Sequence, residues 1–350
     1  MISYSLKKSV FTILLFALSI GSFLASESDI NSSPKAGNEV YNPVPSIMHH
    51  ISDAHEWHLW GEGDESFSIP LPIILYTEGN LDIFMSSGFH HGHSKISKDN
   101  RTYSIDHHGH ISEDSGLTFI DFSITKNVAS MLIGLLVLLL IFGISGVKAK
   151  NSKSAPSGIL SFLEPLVLFV RDDIVKPNIG KNYNKYLPYL LTLFFFILVN
   201  NLLGLLPGSA NVTGNIAITL VLSFITLIVT NFSGNKSYWG HIFNPPGVPL
   251  ALMPIMIPIE IVGIFTKPFA LMIRLFANIS AGHIIILSLI SLIFMAQSGL
   301  GNIAAWSLSP VAVVFVLFMD LIEVLVAFLQ AYIFTLLTSL FIGLATVDHH

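Results

Sequence analysis

The chain has 350 residues, of which 52% are apolar and only 11% are charged, and its mean hydropathy is positive. Soluble domains carry about 25% charged residues, so this composition indicates an integral membrane protein. Because the sequence has no cysteine, it excludes disulfides, thiolate metal sites and cysteine nucleophiles. The net charge of -5 identifies no partner, because charges on the two sides of a membrane lie in different compartments.

Residues 1–26 have the composition of a secretory signal peptide. Lys7 and Lys8 precede an apolar run, which ends at the small residues Ala25 and Ser26. Signal peptides share this order of positive region, apolar core and small-residue cleavage site. An uncleaved membrane anchor is the alternative. If cleavage occurs, the residues that follow face the exported side.

Residues 27–126 are polar, and their short apolar stretches are bounded by Gly, Asn, Pro and Asp, which is typical of strands. We therefore expect a small exported domain that is mostly β or irregular. Ten of the fourteen histidines lie between His49 and His110.

Imidazole binds zinc, copper or nickel, and the repeated tetrapeptide His-His-Gly-His supplies the candidate ligands His90, His91, His93, His107, His108 and His110. Their spacing does not define a four-ligand site. A local proton buffer and a plain docking surface stay open beside metal binding, and no cofactor is predicted.

Residues 127–350 form the predicted membrane domain. Its first helix, 128–147, has the length that spans a hydrocarbon core of roughly 30 Å. Seven of the seventeen Lys and Arg residues follow before Leu187, so the positive-inside rule places this basic segment in the cytoplasm. Within it, residues 158–175 have an apolar stripe interrupted by charges, which favours an amphipathic helix on the membrane surface.

A charge-free helical hairpin is predicted next, at 187–206 and 216–231, and then a cytoplasmic loop rich in Gly and Pro at 232–257. The last two apolar stretches, 259–296 and 310–345, would be about 57 and 54 Å long as helices, too long to stand upright in the bilayer. We expect two strongly tilted helices, separated by a break at residues 297–309.

The predicted fold class is therefore an all-α integral membrane protein. It has about five membrane-embedded helices and one cytoplasmic surface helix, together with the small exported β or irregular domain. The N-terminal domain would be periplasmic and the C terminus cytoplasmic.

Ionisable side chains within a bilayer cost ~2.5–3.5 kcal/mol each and are functional candidates by default. In this sequence they lie in the final hairpin, accompanied by one glutamine: Glu260, Lys267, Arg274, His283, Asp320, Glu323 and Gln330.

Spacing on an ideal helix sorts these candidates. Glu260, Lys267 and Arg274 are seven residues apart and Asn278 is four beyond Arg274, so they share one face. Small residues accompany them and would let another helix approach closely: Ala270, Ala277 and Ala281. His283 points to the opposite side.

Arginine keeps its proton in a protein, whereas histidine and glutamate can titrate. Arg274 can therefore attract a carboxylate and repel a leaking cation, and His283 with Glu323 could hold a hydrated path. A structural ion pair that joins two helices is the alternative for Arg274. For Glu260 and Lys267 the alternative is snorkelling to the interface.

The run from Lys267 to His283, Lys-Pro-Phe-Ala-Leu-Met-Ile-Arg-Leu-Phe-Ala-Asn-Ile-Ser-Ala-Gly-His, resembles the hallmark of subunit a of F-type ATP synthases, K-P-x(5)-R-L-F-[GA]-N-x-x-[AS]-G-[EH]. The run that begins Leu329-Gln330-Ala331-Tyr332-Ile333-Phe334 resembles the family's second motif, L-Q-A-[FY]-[IV]-F. The resemblance covers roughly residues 128–346 and leaves residues 27–126 outside it.

The resemblance implies a proton-translocating stator with two offset half-channels. Arg274 would be the essential arginine that faces the carboxylates of the subunit c ring, supported by Asn278 and Gln330. It puts Glu260 and Lys267 near the cytoplasmic half-channel.

In some relatives a glutamate takes the place of His283 and a histidine that of Glu323, so this chain has the pair exchanged. With Asp320 they would line the proton path.

The resemblance further implies a bacterial inner-membrane protein that assembles with the c ring, the subunit b peripheral stalk, the remaining ATP synthase subunits and membrane lipid, and not with nucleic acid. The sequence has no G-x(4)-G-K-[ST] loop, so any ATP chemistry belongs to partner subunits. Whether H⁺ or Na⁺ is the coupling ion stays open. The alternatives are a secondary transporter, for which Arg274 would bind an anionic substrate, and a structural membrane anchor.

Overall fold

The computed structural model describes residues 41–60, 67–92, 94–98, 101–106, 109–114, 116–151, 158–206, 208–244, 249 and 252–346. The predicted signal peptide lies outside the described residues. The chain divides into two compact units. The first combines Met1–Leu132, Leu203–Val212 and Gly282–Glu323, and the second combines Ile133–Leu202, Thr213–Ala281 and Val324–His350.

The first unit begins with a small β domain, as the sequence predicts. Helix α1, Val44–Ile51, precedes eight short strands that form three antiparallel sheets in the orders β1-β2, β4-β3-β8 and β5-β6-β7. The strands are Glu56–Trp60 (β1), Phe67–Pro70 (β2), Pro72–Thr77 (β3), Asn80–Met85 (β4), Ile96–Lys98 (β5), Arg101–Ile105 (β6), Ile111–Glu113 (β7) and Phe119–Asp121 (β8).

This domain has its own core. Alternate residues of β3 are buried, and Ile73 and Leu75 pack there with Phe89 and Tyr103. The Tyr103 hydroxyl donates a 2.7 Å hydrogen bond to the fully buried Asp82 carboxylate. Burial raises the pKa of the Tyr103 phenol, so the tyrosine stays a neutral donor at physiological pH.

The remaining helices follow the hydropathy of the sequence. They are Lys126–Asn151 (α2), Ile159–Phe169 (α3), Lys176–Ile179 (α4), Tyr183–Gly204 (α5), Ile216–Phe232 (α6), Lys236–Phe243 (α7), Met253–Leu300 (α8) and Asn302–Thr346 (α9). Among the described residues, four helical runs are long and apolar enough to cross a membrane, or five if α6 and α7 form one bent span. The predicted membrane character is thereby confirmed.

The predicted surface helix at 158–175 has a different end. A π-helical turn, Val170–Val175, continues α3 into α4, and the 3-10 turn Gly180–Asn182 leads directly into α5. On this turn Asp172 pairs with both Arg171 and Lys176, so part of the charge that interrupts the apolar stripe is neutralised within the helix. The helical run Ile159–Gly204 therefore extends over 46 residues.

Two predicted irregular segments are helical in large part. Residues 232–257 contain α7, which is bent by 102° from α6. Residues 297–309 belong to α8 and α9 except at Gly301, whose φ of +88° lies in the left-handed region that favours glycine. A single glycine is therefore enough to end α8, and the prediction of a thirteen-residue break was wrong.

Helix α5 supplies the centre of the second unit. Leu190, Phe194 and Ile197 are fully buried there. They belong to one apolar cluster with residues of α8 and α9, including Leu271, Leu275, Ile279, Ala331, Phe334 and Ile342. Large apolar side chains thus fill the region where these helices meet, and this packing fixes the polar positions of α8 and α9 in the unit.

Candidate functional site

Arg274 lies at the boundary between the buried and the exposed face of α8. Leu271 and Leu275, on the buried side, are 2% and 0% exposed. Asn278, one turn beyond Arg274, is exposed, and Arg274 itself is half-buried. The cation therefore lies at the edge of an exposed surface of α8.

This outward surface of α8 is built from small side chains. Ala270, Ala277 and Ala281 are all exposed. Among the described residues of its unit, Arg274 has no hydrogen-bond or ion-pair partner, in contrast to Arg171, which pairs with Asp172. Arg274 thus presents an unpaired cation beside a surface that allows close approach of another helix.

Gln330 occupies a different environment. Its side chain is 3% exposed, between Ala327 and Ala331, which are both buried on α9. Close to it in sequence, the Ala327 carbonyl accepts a 3.2 Å hydrogen bond from Nδ2 of Asn201, and Thr213 Oγ1 donates a 2.6 Å bond to Asn201 Oδ1. The Asn201 amide therefore connects this part of α9 to α5 through a hydrogen bond.

In the first unit, the structure brings His283 and Glu323 together. His283 Nδ1 and Glu323 Oε1 are 2.7 Å apart, and His283 Nε2 lies 3.1 Å from the Gly204 carbonyl oxygen. The Glu323 carboxyl is 4% exposed. The exchanged pair noted in the sequence is thus a direct contact between α8 and α9.

The oxygen atoms around His283 determine where its protons lie. A carbonyl oxygen only accepts, so Nε2 must carry a proton and donate it to Gly204. The short contact between Nδ1 and Oε1 then requires one further proton, shared by an imidazolium and a carboxylate or by an imidazole and a carboxylic acid. Without that proton, two lone pairs would face each other. The contact is therefore built to hold one exchangeable proton.

Gly282 provides the space for the Glu323 carboxyl. A Cβ atom at this position would lie 2.8 Å from Glu323 Oε1, closer than van der Waals contact allows. Oε2 of Glu323 is buried without a hydrogen-bond partner among the described residues. Asp320 is half-buried one turn earlier on α9. Three ionisable groups therefore lie within one short section of this unit.

Glu260 and Lys267 lie towards the other end of α8. Lys267 is exposed and its ammonium is 5.8 Å from the centre of the Phe341 ring, within range of a cation–π interaction. A small cleft in the second unit is lined by Lys267 together with Thr230, Asn231 and Tyr238. Apolar side chains, among them Ile264 and Phe341, complete its lining, so this end of α8 borders a cleft of mixed character.

Most of the histidine-rich segment cannot be placed. His93, His107 and His108, and the side chains of His90 and His91, lie outside the described residues. His110 is described, and its backbone N–H donates to Asp106. No group of three or more His, Asp or Glu residues within the described ranges could hold a metal ion.

Comparison with known proteins identifies the family. The family model described as ATP synthase A chain matches residues 128–343. The chain belongs to this family. It is therefore a membrane protein of the kind that forms a component of ATP synthase, which agrees with the two motifs on α8 and α9.

Individual relatives extend this finding. ATP synthase subunit a 2 of Chlorobaculum tepidum is 48% identical over 265 residues, which cover 72% of each chain. ATP synthase subunit a of Chlorobium phaeobacteroides is 52% identical over 65% of this chain and 67% of its own.

The β domain also has relatives of its own. ATP synthase subunit a of Anaeromyxobacter is 43% identical over 319 residues, 87% of this chain and 70% of its own. A second family model, a domain of unknown function (DUF8433), matches residues 46–128. The domain that lies outside the sequence motifs is therefore shared with other proteins.

Several parts of the site were not predicted. Gly204 contributes through its backbone carbonyl and Gly282 through its lack of a side chain, and neither role leaves a signal in hydropathy or spacing. The role of Asn201 could have been predicted from the sequence, since an amide in an apolar helix is costly unless it is hydrogen-bonded.

Proposed function

We propose that this chain is the proton-translocating stator subunit of an F-type ATP synthase, and that Arg274 couples proton flow to rotation of the subunit c ring. The observation that carries the proposal is the Arg274 guanidinium, which has no partner among the described residues of its unit and lies beside exposed alanines. An arginine in an apolar helix is costly, so its retention without a partner in the unit favours an external carboxylate as its counter-charge.

Arg274 acts as a fixed positive charge. A ring carboxylate that approaches it gains a favourable ion pair only after it has lost its proton, because arginine itself stays protonated. The same charge repels a proton or a metal cation that would otherwise leak straight across. Asn278, exposed on the same face, supplies an uncharged hydrogen-bonding group to the ring, and the buried Gln330 supports the arginine from α9.

Two half-channels open to opposite sides of the membrane. His283, Glu323 and Asp320 line the half on the exported side, where the His283–Glu323 contact accepts and releases one proton at a time. Glu260 and Lys267 belong to the half on the cytoplasmic side. The exchangeable proton of the His283–Glu323 pair favours H⁺ over Na⁺ as the coupling ion.

The chain carries out no covalent chemistry in this proposal. Its partners are the c ring, the subunit b peripheral stalk, the other ATP synthase subunits and membrane lipid. The β domain lies on the exported side of a bacterial inner membrane and the C terminus in the cytoplasm. ATP is made or hydrolysed on the partner subunits.

The Arg274→Ala variant tests the proposal. We expect the complex to assemble, because Arg274 has no hydrogen bond or ion pair among the described residues of its unit, while ATP-driven proton pumping into inverted membrane vesicles falls to background. Pumping is measured by quenching of a pH-sensitive dye, and assembly by co-purification of the ring. Arg171→Ala is the matched control, since it removes an arginine that pairs with Asp172, and its pumping should be retained.

Normal pumping by an assembled Arg274→Ala complex would refute the coupling role. Loss of assembly in this variant but not in Arg171→Ala would instead assign Arg274 to the structure of the complex.

A further inference from the structure

The β domain contacts the connection between α5 and α6, which begins next to the hydrogen-bond acceptor of His283. Trp57, on β1, donates a hydrogen bond from Nε1 to the Gly208 carbonyl oxygen at 2.6 Å, across 151 residues of sequence. Gly208 belongs to the connection Leu203–Val212, which is part of the same compact unit as the β domain. The side chain is partly buried in this contact.

Hydrogen bonds join the described residues of the connection, 203–206 and 208–212. Ser209 Oγ donates a 2.6 Å hydrogen bond back to the Leu203 carbonyl oxygen. Ala210 and Val212 are 2% and 0% exposed, so the far end of the connection is packed. These bonds link the residues next to Gly208 with those next to Gly204.

Gly204 provides the carbonyl oxygen that accepts from His283 Nε2 at 3.1 Å. Because this acceptor assigns the proton to Nε2, it leaves Nδ1 for the Glu323 carboxyl. The position of the turn thus determines both the orientation of the imidazole and the side on which it exchanges its proton.

The segment just before Trp57 is hydrogen-bonded to the beginning of α2. The Lys126 backbone N–H donates to the Ala54 carbonyl oxygen at 2.9 Å, and the Asn127 N–H donates to Asp53 Oδ1 at 3.2 Å. Both bonds join the segment just before β1 to the beginning of α2. Within the β domain, Trp57 is also paired with Ile69 of β2.

We propose that the β domain acts on the proton path, with Trp57 as a positioning residue that sets His283 through the turn at Gly208 and Gly204. This inference rests on the proposed function and deepens it, because it gives a role to the domain that lies outside the ATP synthase motifs. Trp57 itself exchanges no proton. Its effect on the path is transmitted by the hydrogen bond to Gly208.

The Trp57→Phe variant tests the inference in the full, assembled complex. The change keeps an aromatic ring and removes the N–H donor. We expect ATP-driven pumping about two- to tenfold slower, as for loss of one hydrogen bond, with a pH profile displaced in the same direction as that of His283→Ala. Trp306→Phe, at a tryptophan that is 77% exposed in the same unit, is the matched control and should pump normally.

The double variant Trp57→Phe with His283→Ala separates positioning from general destabilisation. If Trp57 acts through His283, the double variant pumps no more slowly than His283→Ala alone, because coupled residues are not additive. Additive effects, or an unchanged rate and pH profile in Trp57→Phe, would overturn the inference.

Ser209→Ala covers the case in which Trp57→Phe does not assemble, because it removes a different hydrogen bond of the same turn. We expect Ser209→Ala to show the same displaced pH profile, and its effect should not add to that of His283→Ala. Additive effects would overturn the inference. An unchanged profile in His283→Ala itself would instead contradict the proposed proton path. If His283→Ala changes the pH profile while Trp57→Phe and Ser209→Ala both pump normally, the role of Trp57 and the turn is contradicted. The proposed proton path is not.

Discussion

The imidazole of His283 lies between two oxygens of different chemistry, a carbonyl that only accepts and a carboxyl that exchanges protons. This arrangement fixes the orientation of the imidazole and sets one of its nitrogens against an ionisable side chain. The exchange of histidine and glutamate relative to some relatives pointed to this pair from sequence alone. The role of the Gly204 carbonyl could not be predicted from the sequence, because every residue carries a carbonyl and only the fold places this one beside His283.

Gly282→Ala tests the geometry of this pair. The added methyl group would displace the Glu323 carboxyl, from which it would be only 2.8 Å distant, and lengthen its hydrogen bond to His283. We expect pumping about two- to tenfold slower with the complex intact. The rate is measured by dye quenching in inverted vesicles.

The controls for Gly282→Ala use the same helix and the same pair. Gly263→Ala, also on α8, has no atom within 4 Å of the added carbon and should pump normally. Combining Gly282→Ala with Glu323→Asp shortens the acid by one methylene and should recover part of the rate. Unimpaired pumping by Gly282→Ala alone would show that Glu323 adjusts without cost.

At the scale of elements, hydropathy and length predicted the helices well and their ends poorly. Apolar runs identify α2, α5, α6, α8 and α9 because the cost of exposing backbone polar groups to lipid enforces helical structure. The ends depend on local features that composition does not show, such as the left-handed Gly301. The helix predicted at residues 158–175 likewise has a different end, because the π-helical turn Val170–Val175 continues it into α4.

A backbone contact between α9 and α4 gives a prediction at this scale. A Cβ atom at Gly343 would fall on the carbonyl group of Asn178, so the two helices approach each other as closely as glycine allows. We expect Gly343→Ala to force them apart and destabilise the unit by about 1–3 kcal/mol, the usual cost of overpacking.

The effect of Gly343→Ala is measured as a lower melting temperature of the detergent-purified subunit and as lower accumulation in membranes. Gly146→Ala, on α2, meets no atom within 4 Å and provides the control. Equal melting temperatures for Gly343→Ala and the unaltered chain would mean that α4 moves aside freely.

For the whole molecule, the sequence motifs identify the membrane domain and give no role to the β domain. Its strands were foreseeable from apolar stretches bounded by turn residues. Its buried Asp82–Arg101 ion pair, with atoms 3.0 Å apart, and its contact with the connection at Gly208 were not, since they join residues far apart in sequence. Motifs alone therefore do not reveal that the β domain contacts the connection that follows α5.

The orientation of the chain can be tested directly, because it has no cysteine and any introduced thiol is unique. Ser87, in the β domain, and Lys236, on α7, are both exposed. In the proposed orientation, the basic segment that follows α2 lies in the cytoplasm and Ser87 on the exported side. Two further crossings by α5 and α6 would then return Lys236 to the cytoplasm. A membrane-impermeant maleimide should therefore label Ser87→Cys in right-side-out vesicles and Lys236→Cys only in inverted ones. The reverse pattern would invert the assignment of the two half-channels, and labelling of both variants in right-side-out vesicles would contradict the number of crossings between them.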